Sequence, residues 1–392
     1  MKNNSFFKLS FWKVVATIII ICGLYSSYIR FFKGLGASTN LSDAIPWGLW
    51  IGFDFLGVGL AAAGFTIAVS AHVFYVHRFE PFVRPDILTA YIGYMLVVCL
   101  LVIDLGRPQS FWHPLIMWNI HSVMFEITWC VICYSTILTL EFAPVVLEKF
   151  HLKAPIKILR KISIPVVILG VLFSTLHQSS FGSLYLIVPG RLYPLWYSSL
   201  LPVNFFISCI GAGLSMIIFE SYLNARAFNH GLNLKLISDL GKIVLYALVI
   251  GFVVRMTDMF IAGRASAMLI MRNETYMFFA EIIIGTFVPV YFLSIRRFRE
   301  DRFWLYIASI FVISGFVLNR MNVAITGLQA SSGVSYFPTF DEISITMMLV
   351  VLGMWAFSLV VKNFKVFETD EEPEGEHEIL VQGSKKIILN EE

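Results

Sequence analysis

Runs of apolar residues long enough to cross a bilayer recur along this chain, and nothing else in it limits the fold as strongly. A helix needs about 20 such residues to span hydrocarbon, because each residue advances it by only ~1.5 Å. Runs of this kind fall at about 12–32, 48–76, 87–103, 119–141, 162–178, 202–223, 241–261, 275–295, 302–322 and 343–361. They predict an all-α integral membrane protein of about ten transmembrane helices, since in lipid every backbone polar group must be satisfied within its own segment. Composition agrees: 58% of the 392 residues are hydrophobic and 14% are charged, against about 25% charged in soluble domains. A net charge of +3, with no solvated basic face interleaved with aromatics, excludes nucleic acid as a partner.

Charge in the loops predicts orientation. Lys2, Lys8, Arg78, Arg84, Lys149, Lys153, Arg160, Arg226, Lys235, Arg296 and Arg299 fall at the N-terminus or in alternate loops, whereas the intervening loops hold few cations, among them Lys33, Arg107, Arg191, Arg264 and Arg272. By the positive-inside rule both termini are expected to be cytoplasmic, in a bacterial inner membrane. The membrane domain is expected over 1–363, followed at 364–392 by a polar tail carrying Glu368, Asp370, Glu371, Glu372 and Glu374. Between the third and fourth spans, Arg107 to Trp118 is broken by proline and rich in aromatics, which predicts an interfacial or re-entrant segment.

Polar residues inside the spans are costly in lipid and point to function or to partners. With this orientation Asp54, His121, Glu126, His177, Gln178, Asn204, Arg255, Asp258, Glu281 and Arg320 all fall in the outer half or at its edge. Such a lopsided set predicts a polar chamber toward the periplasmic side. There is a faint internal repeat as well: MFEI at 124–127 against FAEI at 279–282, and Asp54-Phe55 against Asn204-Phe205. It predicts two parallel four-helix bundles, about 48–178 and about 202–322, flanked by the first and last helices.

The first bundle is the better equipped for protons. Asp54, Glu126 and His177 can each exchange one, and His177-Gln178-Ser179-Ser180 offers an imidazole, an amide and hydroxyls that suit the carbonyls of a quinone. His121 lies on the same span as Glu126, and Trp112 is placed to flank a ring or to serve as an ordinary interfacial aromatic. Arg84 and Tyr94, toward the cytoplasmic end, are positioned with Glu126 and Asp54 for a proton route. In the second bundle, Arg255 and Asp258 stand three apart, a spacing suited to an intrahelical ion pair that Arg320 could join, either as structure or as function. Cys130 and Cys133 form a C-x-x-C within an apolar helix, with no further ligands at metal-site spacing, so no metal site is expected. Paired axial ligands for a b-type haem are limited to His121 with His177, because His72 meets only His77 of its own helix, so a b-type haem is not expected in this chain.

Several stretches, in order, resemble the polysulfide-reductase-type (NrfD-like) membrane subunits, and most nearly the membrane subunit of hydrogenase-2-type nickel–iron hydrogenases. They are IPWGLWIGFDF (45–55), FVRP (82–85), DLGRP (104–108), NIHSVMFE (119–126), LEFAP (140–144), LHQSSFGSL (176–184), YPLW (193–196), IIFE (217–220) and YFPTFDE (336–342). The resemblance implies a quinone site (menaquinone or ubiquinone) near the periplasmic face, and no haem or iron–sulfur cluster in this chain. It also implies electron exchange with a ferredoxin-like iron–sulfur subunit that serves a nickel–iron hydrogenase or a multihaem cytochrome c. On this basis Asp54, Tyr94, Glu126 and His177 take quinone or proton roles, with Arg84 at the inner mouth. Position 121 departs from the pattern, being His where hydrogenase-type members carry Asn. Two other readings stay open at this point: a secondary transporter, suggested by the repeat, and a membrane anchor without chemistry.

Overall fold

The computed structural model describes residues 11–72, 79–188, 190–228 and 233–366, with only the backbone described at 62–66 and 68–72. The side chains of His72 and His77, the cations Lys2, Lys8 and Arg78, and the acidic tail beyond residue 366 therefore lie outside the described residues.

The long helices are α1 (Phe11–Phe32), α2 (Leu49–His72), α3 (Glu80–Asp104), α4 (Val123–Lys149), α5 (Lys153–Leu186), α6 (Leu201–Phe228), α7 (Leu234–Ile261), α8 (Asn273–Ser294), α9 (Arg302–Ser332) and α10 (Phe340–Asn363). Among the described residues, eight of the helices are long and apolar enough to cross a membrane, namely α1, α3, α4 and α6 to α10. Their starts follow from local chemistry. Ser122 accepts from the Phe125 N–H to cap α4, Asn233 caps α7 and Asp301 caps α9. Thr339 and Glu342 form a reciprocal capping box at α10, so orphan N–H groups of the first turn are met by side chains. Several helices run beyond the apolar windows. Helix α5 starts at Lys153 and passes through Pro165, and α3 starts at Glu80 and passes through Pro85. The charges and prolines that suggest stops in the sequence sit on ends that continue past the apolar stretch. Arg107 to Trp118 forms only two short turns, Pro108–Ser110 and His113–Ile116, with Phe111, Trp112, Ile116 and Trp118 exposed.

Helices α2 to α5 pack on one another, α2 against α3 and α5, and α4 against α3 and α5; helices α6 to α9 do the same around α6 and α9. The two groups meet along a seam where α2 and α5 face α6, and α2 also faces α9. Helices α1 and α10 pair with each other, and α10 lies against α3. Arg30 of α1 is buried and donates from Nε to Ile103 O (2.6 Å) and from Nη2 to Leu105 O (2.5 Å). It thereby covers carbonyls at the C-terminal end of α3, where the helix dipole favours a cation. Two distant motifs meet nearby. Tyr336 donates to Glu342 and accepts from the Leu49 N–H (2.9 Å), and Trp50 Nε1 donates to Glu342 O (3.3 Å). Burial together with the Glu342 carboxylate holds the Tyr336 phenol well above its ordinary range, so it serves as a neutral donor.

The outside of the molecule is apolar. Ile18, Ile21 and Leu24 on α1, Ile168 and Leu172 on α5, and Tyr246, Ile250 and Val253 on α7 are all exposed, a surface that requires lipid.

Helices α8 and α9 cross where two glycines touch. A Cβ on Gly315 would lie 1.9 Å from Gly285 Cα, so neither backbone can yield. Gly315→Val is expected to force the crossing apart and to cost 3 kcal/mol or more, about the upper end for overpacking, as read by loss of folded protein in mild detergent. An unchanged unfolding midpoint would show that the crossing is not close.

Candidate functional site

His177 lies midway along the outward-expected part of α5 and is fully buried. The hydroxyl of Tyr94, on α3, is hydrogen-bonded to its Nδ1. Phe181, one turn on, packs its ring 4.5 Å from the imidazole. Fixing Nδ1 leaves Nε2, and that atom is buried without a partner. Beside it Gln178, also fully buried, accepts from the Cys209 thiol at Oε1 (2.8 Å), while its Nε2 has no partner. Asp54 of α2 is buried, leaves Oδ1 unpartnered and stands within electrostatic reach of the Tyr94 hydroxyl. Unmet polar atoms in a buried interior carry a desolvation cost of about 1–3 kcal/mol each. Several of them concentrated beside one seam suit a ligand that arrives with its own acceptors and donors.

The walls are aromatic. Phe55 packs on Phe181 (4.6 Å) and on Tyr185 and Phe205 (6.0 Å each), and Trp47 meets Tyr185 edge-on (5.4 Å). The Tyr185 hydroxyl is another buried atom with no partner. Tyr134, next to Tyr94 at 4.4 Å, donates to Ala61 O (3.3 Å). Glu126 joins from α4: Ser180, one turn beyond His177, donates to Glu126 Oε1 at 2.5 Å. Glu126 is exposed, so the pair Glu126–Ser180 links the surface to the buried imidazole's helix.

The structure thus brings Asp54, Tyr94, His177 and Gln178 into one buried region with Glu126 at its edge. His121 and Trp112 are not part of it. Both are exposed on the irregular stretch before α4, and the Trp112 ring rests on its neighbour His113 (4.4 Å). Arg84 lies ten positions before Tyr94 on α3, about 15 Å away along the axis, and bonds to Glu148 (3.3 Å) and Lys365 O (3.3 Å).

A second polar centre occupies the other bundle, and here the expected pairing is corrected. Arg255 does not pair with Asp258. It bonds to Glu281 of α8, while Asp258 accepts from Arg264 (2.6 Å) and Ser198 (2.6 Å). Each side chain turns to a neighbour off its own helix, which spacing along one helix does not reveal. Arg320 contacts neither carboxylate directly. It donates to Asn319 Oδ1 (2.6 Å), Phe205 O (3.1 Å), Ser208 Oγ (2.9 Å) and Cys209 Sγ (3.3 Å). Glu281 also accepts from Trp196 Nε1 (2.8 Å), Asn319 Nδ2 (2.8 Å) and Asn322 Nδ2 (2.9 Å). Wide π-turns at Ile283–Phe287 and Asn322–Thr326 flank these residues; such turns recur at functional sites. The hydrogen bonds Gln178–Cys209–Arg320–Asn319–Glu281 run unbroken across the seam, joining the two centres. Glu281 is missed as a site residue by sequence reasoning, although the FAEI repeat that contains it is the available signal.

No group of three or more His, Cys, Asp or Glu side chains suited to a metal ion occurs among the described residues.

Comparison with known proteins follows the same lines. A family model described as "Polysulphide reductase, NrfD" matches residues 37–331. A protein of Nitratidesulfovibrio vulgaris is 36% identical over 90% of this chain and 93% of its own length. A "Probable Ni/Fe-hydrogenase 2 b-type cytochrome subunit" of Escherichia coli is 30% identical over 89% of this chain and 90% of its own. A "Menaquinone reductase, integral membrane subunit" of N. vulgaris is 24% identical, covering 93% of each chain. With its apolar helices and this match over most of its length, the chain belongs to the polysulphide reductase NrfD family of all-α, multi-pass integral membrane proteins.

Proposed function

We propose that this chain is the quinone-interacting membrane subunit of a respiratory oxidoreductase complex, and that the buried region around His177 is where it meets the quinone head. The observation that carries this reading is that two consecutive, fully buried residues each leave a polar atom without a partner, His177 Nε2 and Gln178 Nε2, in an aromatic-walled seam. The names of the relatives, a menaquinone reductase subunit and a hydrogenase subunit, support the same class of complex.

The donor set fits the group. A quinone supplies paired electron and proton transfer when bound. His177 and Gln178 would hold its oxygens, because both present polar atoms that nothing in the protein satisfies. Tyr94 fixes the imidazole through Nδ1, so the proton-exchanging atom facing the site is Nε2. Glu126, exposed and bonded to Ser180, is placed to pass protons between the site's edge and water. Asp54 is a second proton holder on the opposite helix. Trp112 and His121, on the exposed stretch before α4, flank the approach rather than the head. Electrons would be exchanged with a ferredoxin-like iron–sulfur subunit docked on the His121 face, which the loop charges assign to the periplasmic side, with both termini cytoplasmic. The catalytic partner would be a nickel–iron hydrogenase or a multihaem cytochrome c. Arg84, bonded to Glu148, would stand at the cytoplasmic mouth of any proton path through Tyr94.

Glu126→Gln tests this reading. It keeps size and hydrogen bonding to Ser180 while removing proton exchange, so quinone-linked turnover should fall about 10²-fold or more with the complex still assembled. Turnover at the wild-type rate would sink the role of Glu126. A chain that purifies alone and transports a solute in proteoliposomes would replace the redox reading with a transporter.

A further inference from the structure

We propose that the second bundle holds a binding site for one small monovalent anion of the halide kind, in the cavity beside Arg320. The cavity has a volume of about 120 Å³ and is lined by residues of α6, α7, α8 and α9, including Asn204, Ser208, Arg255, Glu281, Asn319 and Arg320. That space admits a halide with a few waters, since one water takes about 30 Å³ of the liquid.

The charges around the cavity do not balance. Three guanidinium groups and two carboxylates line the cavity: Arg255, Arg264 and Arg320 against Asp258 and Glu281. Arg255 is matched by Glu281 and Arg264 by Asp258. Arg320 is left over. It is 1% exposed, and all its hydrogen-bond partners, Asn319, Phe205 O, Ser208 and Cys209, are neutral. Cys209 gives its own S–H to Gln178 Oε1, which makes it a thiol rather than a thiolate toward Arg320. Phe205 and Phe316 sandwich the guanidinium at 3.7 and 4.3 Å from their ring centres, contributing attraction but no charge. A buried Lys could shed its proton to escape this cost; a guanidinium cannot. Glu281 is not free to answer Arg320 as well, because four donors already converge on it.

The unmet atoms agree. Arg320 Nε and Arg255 Nη2 are buried N–H donors without partners, on two residues that line the same cavity; Asn204 Oδ1, the third unmet atom of that lining, is an acceptor suited to a water that enters with the anion. Water could accept these N–H groups but would leave the charge uncompensated, and burying an unpaired charge costs far more than burying an unpaired amide. A monovalent anion meets both needs. It also sits beside the middle member of the chain of hydrogen bonds that reaches Gln178 through Cys209, although the proposal stands without any role for the quinone.

The test uses the purified complex in detergent, with chloride replaced by gluconate and bromide then titrated in. Thermal unfolding should shift upward and saturably with bromide, by about 2–4 °C, and crystals grown in bromide should show an anomalous peak in contact with Arg320. Arg320→Gln should abolish the bromide shift. Should that variant fail to fold, Asn204→Leu keeps the cation and fills the cavity, and should weaken or abolish the shift. An unfolding temperature indifferent to bromide together with an anomalous map empty at Arg320 would overturn the proposal. So would density for a quinone ring or a lipid headgroup in the cavity.

Discussion

Glu281→Leu is expected to destabilise the protein by about 3–5 kcal/mol, the cost of breaking a buried ion pair by removing one partner. Leucine matches the bulk of glutamate closely, so little of the loss comes from a void. It comes from Arg255, left as a buried cation, and from Trp196 Nε1, Asn319 Nδ2 and Asn322 Nδ2, left as donors with nothing to meet. Those donors arrive from α7, α9 and the loop before α6, so the carboxylate ties together most of the second bundle. Glu281→Gln should lose less, because an amide oxygen still accepts from the asparagines and the indole while forfeiting the pair with Arg255. Unfolding the two variants in parallel by denaturant or heat in the same detergent reads the difference. A leucine variant within 1 kcal/mol of wild type would mean that the network is not a keystone of the bundle.

The His177→Phe complex is expected to assemble normally and to lose about 10²–10⁴-fold in quinone-linked turnover, the usual range for a lost acid–base group. Phenylalanine should be accepted because the imidazole already lies in an aromatic setting, with Phe181 at 4.5 Å and Tyr94 at 5.8 Å between ring centres. What is lost is the ring nitrogen at the seam, and with it the hydrogen-bond partner of the Tyr94 hydroxyl. Tyr94→Phe asks a narrower question. It keeps His177 but frees the imidazole to choose its tautomer, so turnover should fall less than in His177→Phe and its pH dependence should change. Proton uptake on the Arg84 side in Tyr94→Phe bears separately on the long route: unchanged uptake would remove Tyr94 from it. Turnover of His177→Phe within about threefold of wild type would remove the imidazole from the chemistry.

Much of this architecture is legible in the residues because lipid imposes so simple a rule. The apolar windows mark every long helix, and the polar residues within them mark both interior centres. The motif stretches also find each other: IPWGLWIGFDF supplies Trp50 and the Leu49 N–H that meet Tyr336 and Glu342 of YFPTFDE. Three things are not legible, each for a physical reason. Helix ends go astray where charged turns extend a helix past its apolar window, as at Lys153 in α5. Pairing goes astray because partners are chosen by tertiary packing: Arg255 and Asp258 have the spacing of a pair, yet Glu281 and Arg264 claim them. Depth alone does not place a side chain inside the protein either. His121 and His177 are expected at similar depth, but His121 precedes α4 in an irregular, exposed stretch whereas His177 faces the packed seam.

The most direct measurement is photolabelling of the purified complex with an azido-quinone, followed by mapping of the modified peptides. Labelling confined to the stretch around His177–Tyr185 and to the facing segments of α2 and α4, abolished by excess unlabelled quinone and weakened by His177→Phe, is the expected result. Labelling only in the second bundle, or none that unlabelled quinone displaces, would contradict a quinone site at the His177–Gln178 seam.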